Sequence, residues 1–395
     1  MKINKSLEVY YEENLVGKLA MTGNAKAAFE YSDEWIEKGF SISPFSLPLE
    51  KRVFVPSKPY FGGLFGVFAD SLPDAWGNIL LNRVLRKNGF LPEQLNPLDR
   101  LAIVGNSGMG ALSYRPEIML GQEKDFENLD VLARECKKLL QSEYSDKLDE
   151  LYRLGGTSGG ARPKIMTNIE EEEWIIKFPA HVDGVDSGKM EYNYSLCAKK
   201  CGIEMTETKL FESKECKGYF GTKRFDRLND KGNSKRIHMI TAAALLELDF
   251  NQPSLDYHSL MKLTKIMTGN NKKDLENMFR RMCFNVFAHN RDDHSKNFSY
   301  IYDKANDTWH LSPAYDLTYS TTYYGEHTTS INGNGMNPGE KDLLQVGMTA
   351  GIGKQKCCQM IEEIKVNVEM MLGEYLEGKI GFCYNKSEKT RQWGK

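Results

Sequence analysis

The sequence lacks the features that mark several protein classes. No apolar run approaches the roughly 20 residues that a membrane-spanning helix needs, so no membrane partner is expected. The first residues, Met1-Lys2-Ile3-Asn4-Lys5, lead straight into polar sequence with no secretory hydrophobic segment. A net charge of -2 leaves no whole-chain basic footprint for nucleic acid, a local patch apart. The cysteines are Cys136, Cys197, Cys201, Cys216, Cys283, Cys357, Cys358 and Cys383, and none forms a C-x-x-C pair. Cys197 and Cys201 lie four apart on a helical pattern without nearby histidines. Buried or idle thiols are therefore a better reading than a zinc site, and they fit a reducing, cytoplasmic setting. Internal repeats and low-complexity tracts are absent too.

What is present is an ordinary globular composition, with 41% hydrophobic and 27% charged residues. A length of 395 residues suggests two or three domains. A mixed first segment runs to about Pro116. Leu7–Tyr11 alternates like a strand, Glu13-Asn14 suggests a turn, and Val16–Leu19 pairs back as a hairpin. Ile79–Leu85 reads as a helix that Asn88-Gly89 ends. The ionisable residues of this segment form no paired constellation. A polar amphipathic helix is expected between Leu129 and Tyr144. A β-rich stretch follows: a Gly-rich loop at Gly155–Gly160, a short run Lys164–Thr167, a solvated acidic turn at Glu170–Glu173, and a strand Trp174–Phe178. Beyond Arg227 the pattern is helical. Apolar residues at 278, 279, 282, 283, 286 and 287 keep a helical period. Met360, Ile361, Ile364, Val368, Met371, Leu372 and Tyr375 make a core stripe on a last long helix. The tail from Ser387 is polar and is expected to fray.

The most informative segment is His289-Asn290-Arg291-Asp292-Asp293-His294-Ser295-Lys296-Asn297. Its Asp292 and Asn297 have the spacing of a protein-kinase catalytic loop, H-R-D-x-x-x-x-N, where the Asp accepts a hydroxyl proton and the Asn holds magnesium. Asp316, in Ser312-Pro313-Ala314-Tyr315-Asp316-Leu317, stands where a second metal-binding Asp is expected. Four elements upstream fall in kinase order. Gly155-Gly156-Thr157-Ser158-Gly159-Gly160-Ala161-Arg162-Pro163-Lys164 offers backbone N–H groups and hydroxyls to phosphate, though it matches neither G-x-G-x-x-G nor the Walker pattern; a plain turn is the bland alternative. Lys177 ends an apolar β-branched strand, as the phosphate-pairing Lys of kinases does; the alternative is a surface Lys on an edge strand. A helix opening near Glu191 supplies a partner for Lys177, with Glu204 as the other candidate. Tyr219–Arg227 reads either as a hinge at an adenine edge, with Phe225 packed on the base, or as an interdomain linker. Phosphoryl transfer requires positioned charge and a base near the acceptor hydroxyl, and this set supplies both.

With these motifs in place, the chain resembles the HipA family, the serine/threonine kinase toxins of bacterial type II toxin–antitoxin systems. The matching stretches are Leu72-Pro73-Asp74, Gly105 through Leu112, Gly159–Lys164, Ile176-Lys177-Phe178-Pro179, Lys223–Arg227, Asp292–Ser299 and Ser312–Asp316. The resemblance implies an α+β, protein-kinase-like two-lobed fold with an added N-terminal α+β subdomain and a mainly helical C-terminal lobe. The expected boundaries are 1–116 for the subdomain, 117–226 for the N-lobe and 227–395 for the C-lobe. It also implies ATP and Mg2+ as cofactors and a HipB-like helix-turn-helix antitoxin as partner, with DNA reached only through that antitoxin. Aminoacyl-tRNA synthetases are the substrates of well-studied relatives.

Carried over residue by residue, the resemblance makes Asp292 the base and gives magnesium to Asn297 and Asp316. Lys177 holds phosphates, and Lys223 and Phe225 flank adenine. Gly159, Gly160, Ala161, Arg162, Lys164, His294, Lys296 and Tyr315 complete the nucleotide site. The autophosphorylated position aligns with Thr157, beside Ser158. Some relatives have a Gln-Glu pair at Arg162-Pro163. Two other functions stay open: a small-molecule phosphotransferase, against which the N-terminal subdomain argues, and an antitoxin-binding corepressor, against which the intact Asp292, Asn297 and Asp316 argue.

Overall fold

A computed structural model describes residues 4–380, apart from 59, 121–127, 181–182, 231–232, 250–251, 253 and 323–324. The expected frayed tail and Cys383 lie outside the described residues. The alternation of Leu7–Tyr11 builds β1 (Ser6–Tyr11), which pairs antiparallel with β2 (Asn14–Met21). Leu7, Val9 and Tyr11 are buried while Glu8 is exposed, as a period of two requires. The turn is Glu12-Glu13, one residue earlier than expected, because Asn14 already pairs with Tyr11. Then come β3 (Ala27–Tyr31), α1 (Asp33–Lys38), β4 (Val53–Phe54), α2 (Gly66–Ala69), α3 (Ala75–Lys87), α4 (Pro97–Val104) and β5 (Leu112–Arg115). The sheet order is β4-β3-β2-β1-β5. Asn88 and Gly89 (φ 78°) end α3 where the sequence placed its stop.

The next lobe opens with α5 (Leu129–Leu140), capped by Asn128 and shorter than the expected helix. Helix α6 (Leu148–Gly155) was not anticipated. It is eight residues long, and the glycines at its end read as loop. It buries Leu151, Tyr152 and Leu154 in the same core as α3. Strands β6 (Lys164–Ile169) and β7 (Glu172–Lys177) form a hairpin. Only Glu170 and Glu171 make the turn, both at positive φ (53° and 64°). Glu172 and Glu173 belong to β7 and are ion-paired, so half of the expected solvated acidic turn is strand. Helix α7 (Ser187–Lys200) begins one turn before Glu191. Strands β8 (Thr208–Phe211) and β9 (Tyr219–Lys223) complete an antiparallel sheet ordered β6-β7-β9-β8.

The last part carries β10 (Arg227–Asp230), β11 (Asn233–Arg236), β12 (Met239–Thr241), α8 (Ala242–Leu246), β13 (Leu255–Asp256), α9 (Tyr257–Met267), α10 (Lys272–Phe287), β14 (Ser299–Asp303), β15 (Thr308–Leu311), β16 (Thr329–Ser330), α11 (Glu340–Ala350) and α12 (Lys354–Ile380). The expected period on α10 buries Met278, Phe279, Met282 and Cys283, and α12 buries Met360, Ile361, Ile364, Val368 and Leu372. The fold is α+β, with a mainly helical C-terminal part. No helix among the described residues is long and apolar enough to cross a membrane.

Two buried clusters organise the molecule, and they cut across the expected boundary at residue 116. One joins the first sheet to the C-terminal helices. The other joins Trp76, Leu80, Leu81, Val84 and Leu85 of α3 to α5, α6 and the second sheet. Polar contacts tie the same parts together. Asp226 is fully buried and accepts from the Gly110 N–H at 2.7 Å, and it pairs with Arg224 and Arg227, both at 2.7 Å. Burial pushes its carboxyl up, but the two guanidiniums outweigh burial and hold it well below the usual range. Arg227 and Arg236 donate to the Gly108 and Gly110 carbonyls. Arg224, Asp226 and Arg227 thus serve mainly to clamp the 106–112 loop of the first domain.

Candidate active site

Helix α10 delivers the chain into the loop that holds Asp292. It ends at Ala288, and His289 takes a left-handed conformation (φ 51°) that turns the chain away. The Asn297 side-chain N–H donates to the Asp292 carbonyl at 2.7 Å, closing the five-residue span. That bond uses the amide nitrogen, so the amide oxygen is the atom left to accept or ligate. Asp293, to which the sequence reading gave no role, anchors the loop from beneath. It is buried and accepts from the Tyr257 hydroxyl, His327 Nδ1 and the Thr329 N–H, each at 3.0 Å. Asn290 donates to Asn285 Oδ1 at 2.9 Å.

Asp292, in contrast, is exposed to solvent, with His294 Nε2 at 3.9 Å. Desolvation by its surroundings raises its carboxyl above the usual value, and the neighbouring Asp316 and Asp293 add to the rise while His294 opposes it. Asp316 sits at φ 54°, a conformation uncommon for a residue other than Gly, in which Asp is better tolerated than most. Its Oδ1 contacts Lys177 Nζ.

Lys177 is the meeting point. Its ammonium lies 2.5 Å from Glu191 Oε1 on α7 and contacts Asp316 on the other side. Of the two glutamates that the sequence left open, Glu191 is the partner; Glu204 pairs with Lys273 instead. Burial pushes Lys177 down, but the two carboxylates outweigh it and keep the ammonium firmly protonated. For Asp316, burial pushes up, and Lys177 and Lys164 outweigh it to hold the carboxyl well below the usual range. Lys164 is buried, which lowers its pKa, and it donates to the Gly159 carbonyl at 2.6 Å.

The remaining expected residues fall in three groups. Lys164, Gly159, Gly160 and Lys296 gather at the Gly-rich loop, where Lys296 Nζ meets Asp74 Oδ1 at 2.6 Å. Tyr315 stacks on Phe225 (centroids 5.5 Å, planes 25° apart) and donates to the Lys296 carbonyl at 2.7 Å. Arg162 is bound in a bidentate pair by Asp183 at 3.0 and 3.1 Å. Lys223 departs from expectation. Its register partner is Trp174, so its side chain takes the face of Trp174 and Ile176, opposite that of Lys177 and Phe220. There it pairs with Glu172 at 2.6 Å. The side chain cannot flank a base in the cleft from that face.

The Gly-rich loop is seated on the N-terminal domain. The N–H groups of Asp74 and Trp76 donate to the Ser158 and Gly160 carbonyls at 3.4 and 3.2 Å. In a trans peptide the following N–H points opposite the carbonyl. The N–H groups of Gly159 and Ala161 therefore face away from α3. Trp76 Nε1 donates to the Lys164 carbonyl at 3.0 Å. Both candidate hydroxyls are buried: Thr157 donates to the Ser107 carbonyl at 3.0 Å and Ser158 to the Gly155 carbonyl at 2.6 Å. The ionisable residues of the first domain form no paired constellation in sequence. The one signal for Asp74 was its place in the Leu72-Pro73-Asp74 stretch.

The HipA N-terminal domain model matches residues 7–115, and the HipA-like C-terminal domain model matches residues 156–372, more than half of the chain. The putative kinase Y4dM of Sinorhizobium fredii is 28% identical over 174 residues, which span 40% of this chain and only 40% of that protein. Putative kinase Y4mE of the same organism is 24% identical over 355 residues, 80% of this chain and 78% of that one. Among solved structures, a Shewanella oneidensis toxin–antitoxin complex of HipA, HipB and operator DNA contains a chain that matches with a TM-score of 0.69 at 17% identity, covering 94% of this chain and 90% of that one. At that identity the likeness shows the fold alone. With both family domains present in order and the fold in agreement, the chain belongs to the HipA family of toxin kinases.

Proposed function

We propose that the chain is an ATP- and magnesium-dependent serine/threonine protein kinase, the toxin of a toxin–antitoxin pair. The observation that carries this reading is the placement of Lys177 between Glu191 and Asp316, beside the loop of Asp292 and Asn297. Charges of both signs converge there on a cavity lined by Arg162, Lys177, Asp183, Glu191, Phe220 and Tyr319. In this reading Asp292 accepts the proton of the attacking hydroxyl. Its exposure lets an acceptor side chain reach it, and its raised pKa improves it as a base. Lys177 and the N–H groups of Gly159 and Ala161 hold the phosphates, with His294 and Lys296 on the opposite loop. Phe225 and Tyr315 form an aromatic wall for the base.

The donors fit magnesium. Asn297 has its amide oxygen available, and Asp316 offers hard carboxylate oxygen held ionised. Bound there, the ion neutralises charge on the phosphates. Binding of the non-hydrolysable nucleotide with and without magnesium, together with transfer from labelled ATP, tests this reading. A chain that binds no nucleotide in either condition is not a kinase.

Thr157 and Ser158 are the autophosphorylation candidates. Both are buried and donating, so modification requires the loop to leave its seat on α3. A phosphate adds about 1.5 to 2 negative charges. A phosphate on Thr157 would meet the Ser107 carbonyl, and one on Ser158 the loop's own Gly155 carbonyl, so a modified loop stays out and the kinase is switched off. Peptide mass spectrometry after incubation with ATP decides this: an unmodified loop in a preparation that phosphorylates another protein rules the switch out.

The partner in this reading is a HipB-like helix-turn-helix antitoxin, with DNA reached only through it, and the substrate is an aminoacyl-tRNA synthetase or another translation factor. The S. oneidensis complex of HipA, HipB and operator DNA supports the partner. Phosphoproteomics after induction identifies the substrate. A phosphosite set without translation components would remove that assignment.

A further inference from the structure

Asp74 stands at the N-cap position of α3, and its side chain makes no capping bond. An Asp there ordinarily accepts from the first turn of its own helix. Here the carboxylate is turned elsewhere. Oδ2 accepts from the Gly160 N–H of the Gly-rich loop at 3.1 Å, and Oδ1 accepts from Lys296 Nζ of the catalytic loop at 2.6 Å. The group is largely shielded, with the Asp74 side chain 22% exposed and that of Lys296 15%. One planar carboxylate thus joins two loops far apart in sequence, and both belong to the nucleotide site proposed above.

The carboxylate is itself firmly mounted. Its helix buries Trp76 completely, and the Trp76 indole holds the Lys164 carbonyl. At Gly77 a Cβ would lie 2.8 Å from the Gly156 carbonyl oxygen and 3.0 Å from that of Ser158, so α3 and the loop meet without space for a side chain. Motion of Asp74 is therefore coupled to motion of the loop.

We propose that Asp74 is a positioning residue. It fixes the separation between the Gly-rich loop and the catalytic loop, so the N-terminal domain is a working part of the phosphotransfer site. The inference rests on the kinase reading. Reacting groups held in the wrong place by about 1 Å lose on the order of 100-fold in rate. A released Gly-rich loop still binds nucleotide through Lys177 and the aromatic wall. The loss then falls on the transfer step more than on binding.

The experiment compares wild type, Asp74→Asn and Asp74→Ala as full chains, with casein as acceptor and ADP with magnesium as binding probe. Asn keeps one acceptor oxygen and Ala keeps none. The expected result is a graded fall in kcat, about 10-fold or more for Ala and less for Asn, with KM for ATP within about threefold. Melting temperatures fall modestly, more for Ala than for Asn, since the Asp74–Lys296 pair is lost while no helix cap is. Hydrogen exchange speeds up in residues 155–162 and is unchanged in the later turns of α3. An Ala variant with kcat within twofold of wild type overturns the proposal. So does a fall in kcat accompanied in both variants by exchange that rises across the whole chain, which marks a merely structural residue. If wild type neither transfers phosphate nor binds ADP, the kinase reading fails. The exchange comparison still decides the tether in that case, and unchanged exchange at 155–162 overturns it.

Discussion

The catalytic loop, residues 289–297, is anchored mainly by its own lobe, though its Lys296 also reaches Asp74, whereas the Gly-rich loop, residues 155–160, is anchored by a domain that precedes it in sequence. The first is held by Asp293, Asn290 and Asn297 acting on Tyr257, Thr329, His327, Asn285 and the loop's own backbone. The second is held by Asp74, Trp76 and Ser107. A loop with local anchors carries its geometry in its own sequence spacing. A loop with distant anchors does not. The same difference divides the chemistry. The catalytic loop is expected to keep its internal geometry when the first domain is altered, while the phosphate-holding loop, and the separation of the two, follow that domain.

The largest effect expected from breaking this division is that of Asp292→Asn. Phosphoryl transfer should fall on the order of 10²–10⁴-fold, with ADP binding and melting temperature retained, because the side chain is exposed. Transfer near the wild-type rate would reassign the base. Trp76→Ala strikes the other loop's bed. Its fully buried indole supports both the second core and the Lys164 carbonyl, so stability should drop by about 3–5 kcal/mol in denaturant titration. A drop below 1 kcal/mol would mean that α3 is not the seat described.

A smaller effect concerns pH and how the first domain docks. His238 is buried, bonds the Ile42 carbonyl at 2.9 Å and is pushed down to about 4 by burial. The unfolded chain takes up that proton near pH 6.5 and the folded chain does not. Stability is therefore full above pH 6.5, falls as pH drops towards 4 and levels off below. Between pH 7 and pH 5 this one group accounts for about 2 kcal/mol. Unfolding free energies of wild type and His238→Gln across that range provide the check, and equal slopes would remove the assignment. The smallest effect sharpens the link between the two loops through Lys177. Asp316→Ala should weaken ATP binding about tenfold with magnesium and much less with EDTA, as expected if the carboxylate acts through the ion. Equal losses in calorimetry under both conditions would make Asp316 a structural partner of Lys177 only.

Much of the architecture was legible because its signals are local. The β1–β2 hairpin follows from alternation, the end of α3 from Asn88-Gly89, and α10 and α12 from helical apolar periods. Helix α6 was hidden by the glycines that end it, and the strand of Glu172 and Glu173 by a run of acids that looks like turn. At the site, the order of Gly-rich loop, Lys strand, Glu helix and catalytic loop was readable. Whether Lys177 pairs with Glu191 or Glu204 was not, since both precede the next strand and only packing selects between them. The face taken by Lys223 depends on the register of β9 against β7, which its residue type does not encode.

By itself the sequence determined the elements that rest on short-range physics: apolar periods, turn residues, and the five-residue span from Asp292 to Asn297 that one side chain can close. Tertiary structure alone decided which charges meet. It placed Lys177 between two carboxylates, set Asp226 against the Gly110 N–H, and brought Asp74 to both Gly160 and Lys296. The physical reason is range. A period or a turn is set by neighbours along the chain, whereas an ion pair across 222 residues forms only once the packed cores have fixed where each backbone runs.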